Sequence, residues 1–437
     1  MNAIRLGTAA SLLASALLLS PVCEATNGYF PHGWGTRSAA MAGAGAALAE
    51  DAMAAATNPA AIAALPESQF TVGLSVIHAE PAYRASAFPP PAAPPPAGSF
   101  PLQPGHVDAD PDVPGDVFLV PQAAAAWRLN ERSAVGVAVY ANGGLNATYK
   151  AFDNPGCPPG SDARGTYCGG GASNDLAQLF VAPTYAAQLG DRVRLGASLL
   201  LAYQSIEVRG LSAFAPLSSS PDHLSNQHHE ASYGYGIKLG LQARLAPTLD
   251  AALVVQSRVR MSRLKAYEGL FAEHGGFDVP PYATIGLSWA ATPALTTAFD
   301  VQRIAYSRVR TLGNDFDSPG QLGDRNGPGF GWRDINVYKF GMRYTVDPQW
   351  TVRAGYSRNQ QPLDKHQLFF APLAGSVLTE HFTAGFTYRH ASGNEFDMSL
   401  MYAPEHHLRG ANPLYPDQKL DVSLEGLILD FAWRGLF

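Results

Sequence analysis

Few side-chain groupings in this 437-residue chain could carry covalent chemistry. Glu50 and Asp51 are adjacent, so they present no shared face for paired acid–base work and read as solvated or lumen-facing charges. "GAGAAL" at 43–48 lacks the third glycine and the preceding strand that a dinucleotide loop needs. "GYS" at 355–357 lacks the flanking glycine pattern of a nucleophile elbow. The histidine pairs His228–His229 and His406–His407 fall in loops, and sequence neighbours seldom ligate one metal together. No catalytic set, metal site or cofactor site is therefore expected. What remains is binding chemistry. Lys238, Arg244, Lys339, Arg343 and Arg353 sit on the polar face of alternating segments, where each could pair with a carboxylate.

The elements that would position such groups are strands. In 233–245 one face carries Tyr235, Ile237, Leu239 and Leu241 and the other Gly236, Lys238, Gly240 and Gln242. Residues 337–345 set Tyr338, Phe340, Met342 and Tyr344 against Lys339, Gly341 and Arg343. Fourteen alternating segments start near 70, 118, 134, 178, 193, 233, 249, 282, 295, 336, 350, 381, 395 and 424. Short turns ("LNER", "GDR", "APT", "TPA", "DPQ", "ASGN") take turns with long loops at 79–117, 141–177, 209–232, 260–281 and 404–423. An even strand number with short turns at one end and long loops at the other is the pattern of a transmembrane β-barrel. Closure leaves no unpaired backbone in lipid. Trp127, Trp289, Tyr344, Trp350 and Trp433 lie near short turns or the C-terminus and would form an aromatic girdle there. The expected fold is all-β, a 14-stranded antiparallel barrel over 67–437 in a bacterial outer membrane.

Residues 1–25 combine Arg5, a short apolar run and small residues up to Ala25, which reads as a signal peptide. Its removal takes Cys23 and leaves Cys157 and Cys168, most simply a disulfide in an exported protein. A net charge of −6 with 15% charged residues excludes a basic surface for nucleic acid. Residues 26–66 break the alternation: "AMAGAGAALAEDAMAAATNPAA" is almost all small side chains, suited to packing inside a wide lumen as a plug. The long loops hold Leu264, Tyr267, Leu270, Phe271 and Phe277, then Leu368, Phe369 and Phe370. Exposed together, they would make an apolar capture groove; the other reading is that they pack on each other.

"TNGYFPHGWGTRSAAMAGAGAALAEDAMAAATNPAAI" resembles the N-terminal hatch of FadL-type outer-membrane transporters of long-chain fatty acids and hydrocarbons, with Asn58, Pro59 and Ala60 as its hallmark. Segments 269–278, 327–341 and 353–362 are similar to further members. The resemblance implies passive import of hydrophobic compounds past the hatch. Partners would be fatty acids or alkylbenzenes, with outer-membrane lipid and lipopolysaccharide around a monomer. It also implies lateral exit where the third strand bends inward. Asn142, Gly143 and Gly144 interrupt the alternation of that strand, and Pro183 next door removes a ladder donor. The competing readings are a general porin and a lipid-acting outer-membrane enzyme.

Overall fold

The structure, a computed structural model, describes residues 27–87, 100–109, 117–158 and 160–437. The signal peptide expected at 1–25 lies outside them. Fourteen barrel strands run in chain order: β1 (Gln69–Ala85), β2 (Val117–Asn130), β3 (Ser133–Tyr149), β4 (Ala172–Leu189), β5 (Val193–Arg209), β6 (Glu230–Ala246), β7 (Leu249–Gln256), β8 (Tyr282–Ala290), β9 (Leu295–Ile304), β10 (Ile335–Thr345), β11 (Trp350–Asn359), β12 (Glu380–Arg389), β13 (Glu395–Asn412) and β14 (Tyr415–Leu436). Each pairs antiparallel with the next, and β14 returns to β1 from Gln69↔Leu436 to Ala85↔Leu420, closing the barrel. Two short strands, Gly105–Asp108 and Arg260–Met261, add to β1 and β6 from the loops.

The period-two pattern is inside out relative to a water-soluble sheet. On β6, Ile237 is 52% exposed and Leu239 53%, whereas Lys238 between them is fully buried. Apolar side chains thus face outward and polar ones inward, an arrangement that is stable only with lipid outside. Trp127, Trp289, Tyr344, Trp350 and Trp433 all face outward, and the terminal Phe437 stacks on Trp127 with ring centroids 5.5 Å apart. The turns after β2, β4, β6, β8, β10 and β12 share one end with both ends of the barrel strand sequence.

Strand boundaries depart from the sequence reading at the other end. Residues 404–423, expected as a loop, are paired strand: β13 and β14 continue as a hairpin that turns only at Pro413–Leu414. Likewise β1 runs to Ala85, β3 to Tyr149, and β4 begins at Ala172 rather than near 178. Beyond the bilayer the exposed face turns polar and the buried face apolar, so the lipid-type alternation is lost while backbone pairing persists: Leu420 and Val422 are buried and Lys419 is exposed. Arg409 and His407, each 2.8–2.9 Å from Asp421, show what replaces it: polar pairs across strands.

Residues 27–66 occupy the lumen. Two single-turn helices, α1 (Thr36–Ala39) and α2 (Ala54–Thr57), and a 3-10 segment at Pro59–Ala64 connect by turns. The 3-10 segment packs on β3 to β6, and α1 on β12 to β14. Small residues on both partners make this possible. A Cβ at Gly341 would lie 2.7 Å from the Met41 Cβ, and one at Gly355 or Gly240 would meet the backbone of Met41 or Ala60. The wall offers glycine where the inner segment brings main chain against it.

Candidate functional site

Two features of the lumen could serve passage of a small apolar molecule: a break in the wall, and a packed aromatic cluster behind it, called the chamber below.

The break is in the β2–β3 ladder. Pairing runs from the turn up to Ala123↔Val139 and stops, although β2 continues down to Val117 and β3 up to Tyr149. On its other side β3 stays paired with β4 as far as Tyr149↔Ala172, with a bulge between Ala141 and Gly143. The extra residue at Asn142 bends the strand, and 142–145 become buried in succession instead of alternating. A Cβ on Gly143 would collide with the Tyr29 carbonyl, so the bend has brought β3 against the inner segment. Pro183 stands elsewhere. It pairs opposite Val137 within an intact β3–β4 ladder, while β4–β5 skips from Val181 to Thr184 and resumes. Asn142, Gly143 and Gly144 therefore adjoin the break, which lies on their β2 side, and Pro183 does not. Alternation along one strand carries no sign of which neighbour it leaves.

Three buried amides hold the bent strand. Asn142 Nδ2 donates to Gln178 Oε1 at 3.1 Å, and Gln178 Nε2 to Gln204 Oε1 at 2.7 Å. Gln204 Nε2 reaches the Phe277 carbonyl at 3.4 Å. On the β2 edge, Gln122 Oε1 accepts from the Gly35 N–H at 3.1 Å. Both rims of the break are thus bonded to the inner segment or to the loops above.

Behind them lies a set of rings the sequence reading did not single out: Tyr29, Phe30 and Trp34 from the inner segment, Tyr140, Tyr282, Tyr306 and Trp332 from the wall and loops. All are at least 93% buried. Tyr29 stacks on Phe30 at 5.2 Å and lies 5.9 Å from Tyr306; Trp34 stacks on Tyr282 at 5.9 Å. Their scatter over the chain hides them; the only local signal is the aromatic density of 29–34.

The loop residues expected to form an exposed groove are buried. Leu264, Tyr267, Leu270, Phe271 and Phe277 are each 7% exposed or less, and so are Leu368, Phe369 and Phe370. They pack on one another, Phe271 on Phe277 at 5.1 Å and Phe369 on Phe316 at 4.9 Å, and close over the mouth. Apolar loop side chains with partners within reach bury together instead of facing water. Tyr267 hydrogen-bonds the His228 carbonyl, and burial pushes its hydroxyl up to about 12. Cys157 and Cys168 are bonded, with Cα atoms 5.5 Å apart, in the β3–β4 connection.

The lumen cations have partners on the inner segment. Lys339 Nζ donates to the His32 carbonyl at 2.9 Å. Lys238 Nζ donates to the Ala56 carbonyl at 2.6 Å and lies over the Trp34 ring at 4.7 Å. Arg343 and Arg353 both pair with Glu50, the latter at 2.7 Å. Arg244 faces Asp250 at 3.5 Å near a short turn. In return Arg37 pairs with Asp397 at 3.0 Å and with Glu395. Burial works against ionising Glu50, but Arg343 and Arg353 hold it well below the usual carboxylate range. Burial raises Asp51 to about 6 although Arg37 opposes it, and lowers His32 to about 3 with help from Lys339. Asn58 is fully buried: its Oδ1 accepts from the Ala60 N–H at 3.0 Å, capping the 3-10 segment, and its Nδ2 donates to the Ala46 carbonyl at 2.7 Å. Among the described residues no three His, Cys, Asp or Glu side chains converge as metal ligands.

Residues 26–409 match the family described as outer membrane protein transport protein (OMPP1/FadL/TodX). The chain belongs to this family. FadL/TodX proteins are transport channels, so the chain is an outer-membrane transport protein for hydrophobic compounds and not an enzyme. Its barrel is similar to the toluene transporter TodX of Pseudomonas putida, at 17% identity and TM-score 0.68, over 93% of this chain and 99% of that one. It is similar also to a Pseudomonas aeruginosa FadL homologue, at 16% identity and TM-score 0.68, over 96% and 100%. The Ralstonia pickettii toluene transporter TbuX gives 18% identity and TM-score 0.61, over 93% and 99%. No protein of curated function matches the sequence.

Proposed function

We propose that this FadL/TodX-family protein imports uncharged hydrocarbons, monoaromatic ones foremost, by passive diffusion. The solute passes from the loop cluster into the aromatic chamber and leaves sideways between β2 and β3. Residues 27–66 act as a hatch that closes the lumen and, by shifting, opens the chamber to the gap. The observation that carries the reading is the β2–β3 ladder, which ends at Ala123↔Val139 although β2 runs on to Val117 and β3 to Tyr149, each still paired with its other neighbour. The gap faces lipid, so an apolar molecule leaving through it never enters water. A hatch shift is required because the lumen is packed: a cavity among Trp34, Arg37, Met41 and Asp51 measures only about 20 Å³, room for one water.

The preference for uncharged solutes rests on the lumen cations. Lys238, Lys339, Arg343 and Arg353 already bond hatch groups, so a carboxylate would have to break a tie before gaining one. The solved relatives TodX and TbuX, described as toluene transporters, point the same way. A polar-solute porin fits poorly with a lumen filled by residues 27–66. The test is uptake of labelled toluene and labelled oleate by cells with and without the protein. Faster toluene uptake with little change for oleate is expected. Gain for oleate alone would reverse the substrate preference, and gain for neither in cells with a folded barrel would end the reading.

A further inference from the structure

On the outer wall of β1, β13 and β14 the outward face changes character at one level. Val72 and Leu74 on β1 and Leu427 and Trp433 on β14 are apolar and exposed. One step further out the pair Glu80↔Glu425 begins a polar surface, and two steps beyond it Arg84↔Asp421 continues it. Strand residues rise about 3.3 Å each, so four residues along a strand tilted by 45° place Arg84 roughly 9 Å above that carboxylate level. This is the zone of lipid headgroups, outside the hydrocarbon.

Here the chain forms an open groove of about 1000 Å³, lined by Arg84, His106, Lys365, His366, Arg409 and Lys419 with Asp421. Four permanent cations stand against one carboxylate, in a chain whose net charge is −6. The one acid is already engaged by Arg409 at 2.8 Å and His407 at 2.9 Å. His106 pairs with Asp108 at 2.7 Å. Among the described residues, Arg84, Lys365 and Lys419 have no acidic partner. The cations come from four separate places in the chain, so no single charge run explains their meeting. None of them belongs to the aromatic cluster or to the rims of the β2–β3 gap, so the transport route does not account for them.

We propose that this groove binds the phosphate groups of the phosphorylated saccharide lipid of the outer leaflet, lipopolysaccharide. Phosphate suits such a set of donors, because a guanidinium can grip two of its oxygens while lysines supply point charges around them. The apolar wall below, Val72, Leu74 and Leu427, would lie along the acyl chains of the same molecule. One lipid would then be held at both ends, headgroup in the groove and chains on the barrel. The site does not depend on the transport reading, since a barrel that carried nothing would still present it.

The test uses the full-length protein purified in detergent, with fluorescently labelled lipopolysaccharide, the same lipid stripped of phosphate, inorganic phosphate and sodium oleate as probes. Phosphorylated lipid is expected to bind, and the triple variant Arg84→Gln, Lys365→Gln, Lys419→Gln to bind it at least about tenfold more weakly. Asp421→Asn, which removes the single acid and frees Arg409, is expected to bind it about twofold to threefold more tightly. This opposite sign separates a lost site from a damaged fold. Equal binding of stripped and intact lipid would overturn the proposal, as would unchanged affinity in the triple variant. Displacement of the lipid by millimolar inorganic phosphate would reassign the groove to free anions. Displacement by oleate alone would make it a capture site for substrate carboxylates.

Discussion

Single residues set the strength of the hatch's ties to the wall. Glu50 accepts from both Arg343 and Arg353, and Arg37 pairs with Asp397 and Glu395. Asp51 differs from Glu50 although adjacent: burial raises its carboxyl to about 6, and its Oδ1 accepts from the Met53 N–H at 2.8 Å. A carboxyl whose docked value lies above its free value of 3.8 binds its proton more tightly when docked. The docked state therefore gains fully below that free value and loses the gain as pH rises through about 6. Hydrogen exchange of residues 36–57, corrected for intrinsic rates, should be slower at pH 5 than at pH 7, and Asp51→Asn should flatten that difference. An unaltered pH response in the variant would place the titrating group elsewhere. Asn58 was marked in the sequence by the hatch resemblance, while its burial and its capping of the 3-10 segment came only with the structure. That Lys339 and Arg343 would be held by hatch groups was not legible. Alternation puts a cation on the lumen face but says nothing of what lies opposite.

At the scale of elements, the hatch and the gap depend on backbone approach. The hatch comes against the wall where both supply small residues; a Cβ on Gly286 would stand 2.9 Å from the Ala46 Cβ. That is slightly inside the separation a disulfide spans, about 3.5–4.5 Å, so a cysteine pair could bond once the Asp300 carboxylate beside Gly286 turns aside. Ala46→Cys with Gly286→Cys should cut toluene uptake at least about tenfold when oxidised and recover it on reduction. Equal uptake in both redox states, with the bond verified by mass, would show that the hatch need not move. Element types were well marked by sequence inside the bilayer, where lipid and lumen impose opposite demands on successive residues. Outside it, at 404–423, the same strands went unmarked because the exposed face turns polar while Leu420 and Val422 are buried, the reverse of the lipid-facing pattern. The gap was half legible: Asn142 to Gly144 marked the bend, but Pro183 drew attention to the β4 side, whose ladder to β3 is intact.

Taken as a whole, the described residues form a closed wall with a long unpaired stretch between β2 and β3, a lumen occupied by residues 27–66 and a cluster of apolar loops. The loop residues illustrate the limit of reading composition alone. Phe271 and Phe369 were visible as apolar, but whether they faced water or one another depended on folding of the loops. The same holds for the chamber, whose rings come from 29–34, 140, 282, 306 and 332 and meet only when the barrel closes. The central claim is that solute leaves between β2 and β3 because Asn142 bends β3 inward. Deleting Asn142 removes the extra residue of the bulge and should let β3 run straight and pair with β2 beyond Val139. The decisive measurement is the rate of labelled toluene uptake by cells carrying this deletion beside wild type, at equal surface levels of heat-modifiable, folded barrel. The account predicts a fall to the rate of cells lacking the protein; uptake equal to wild type would contradict it.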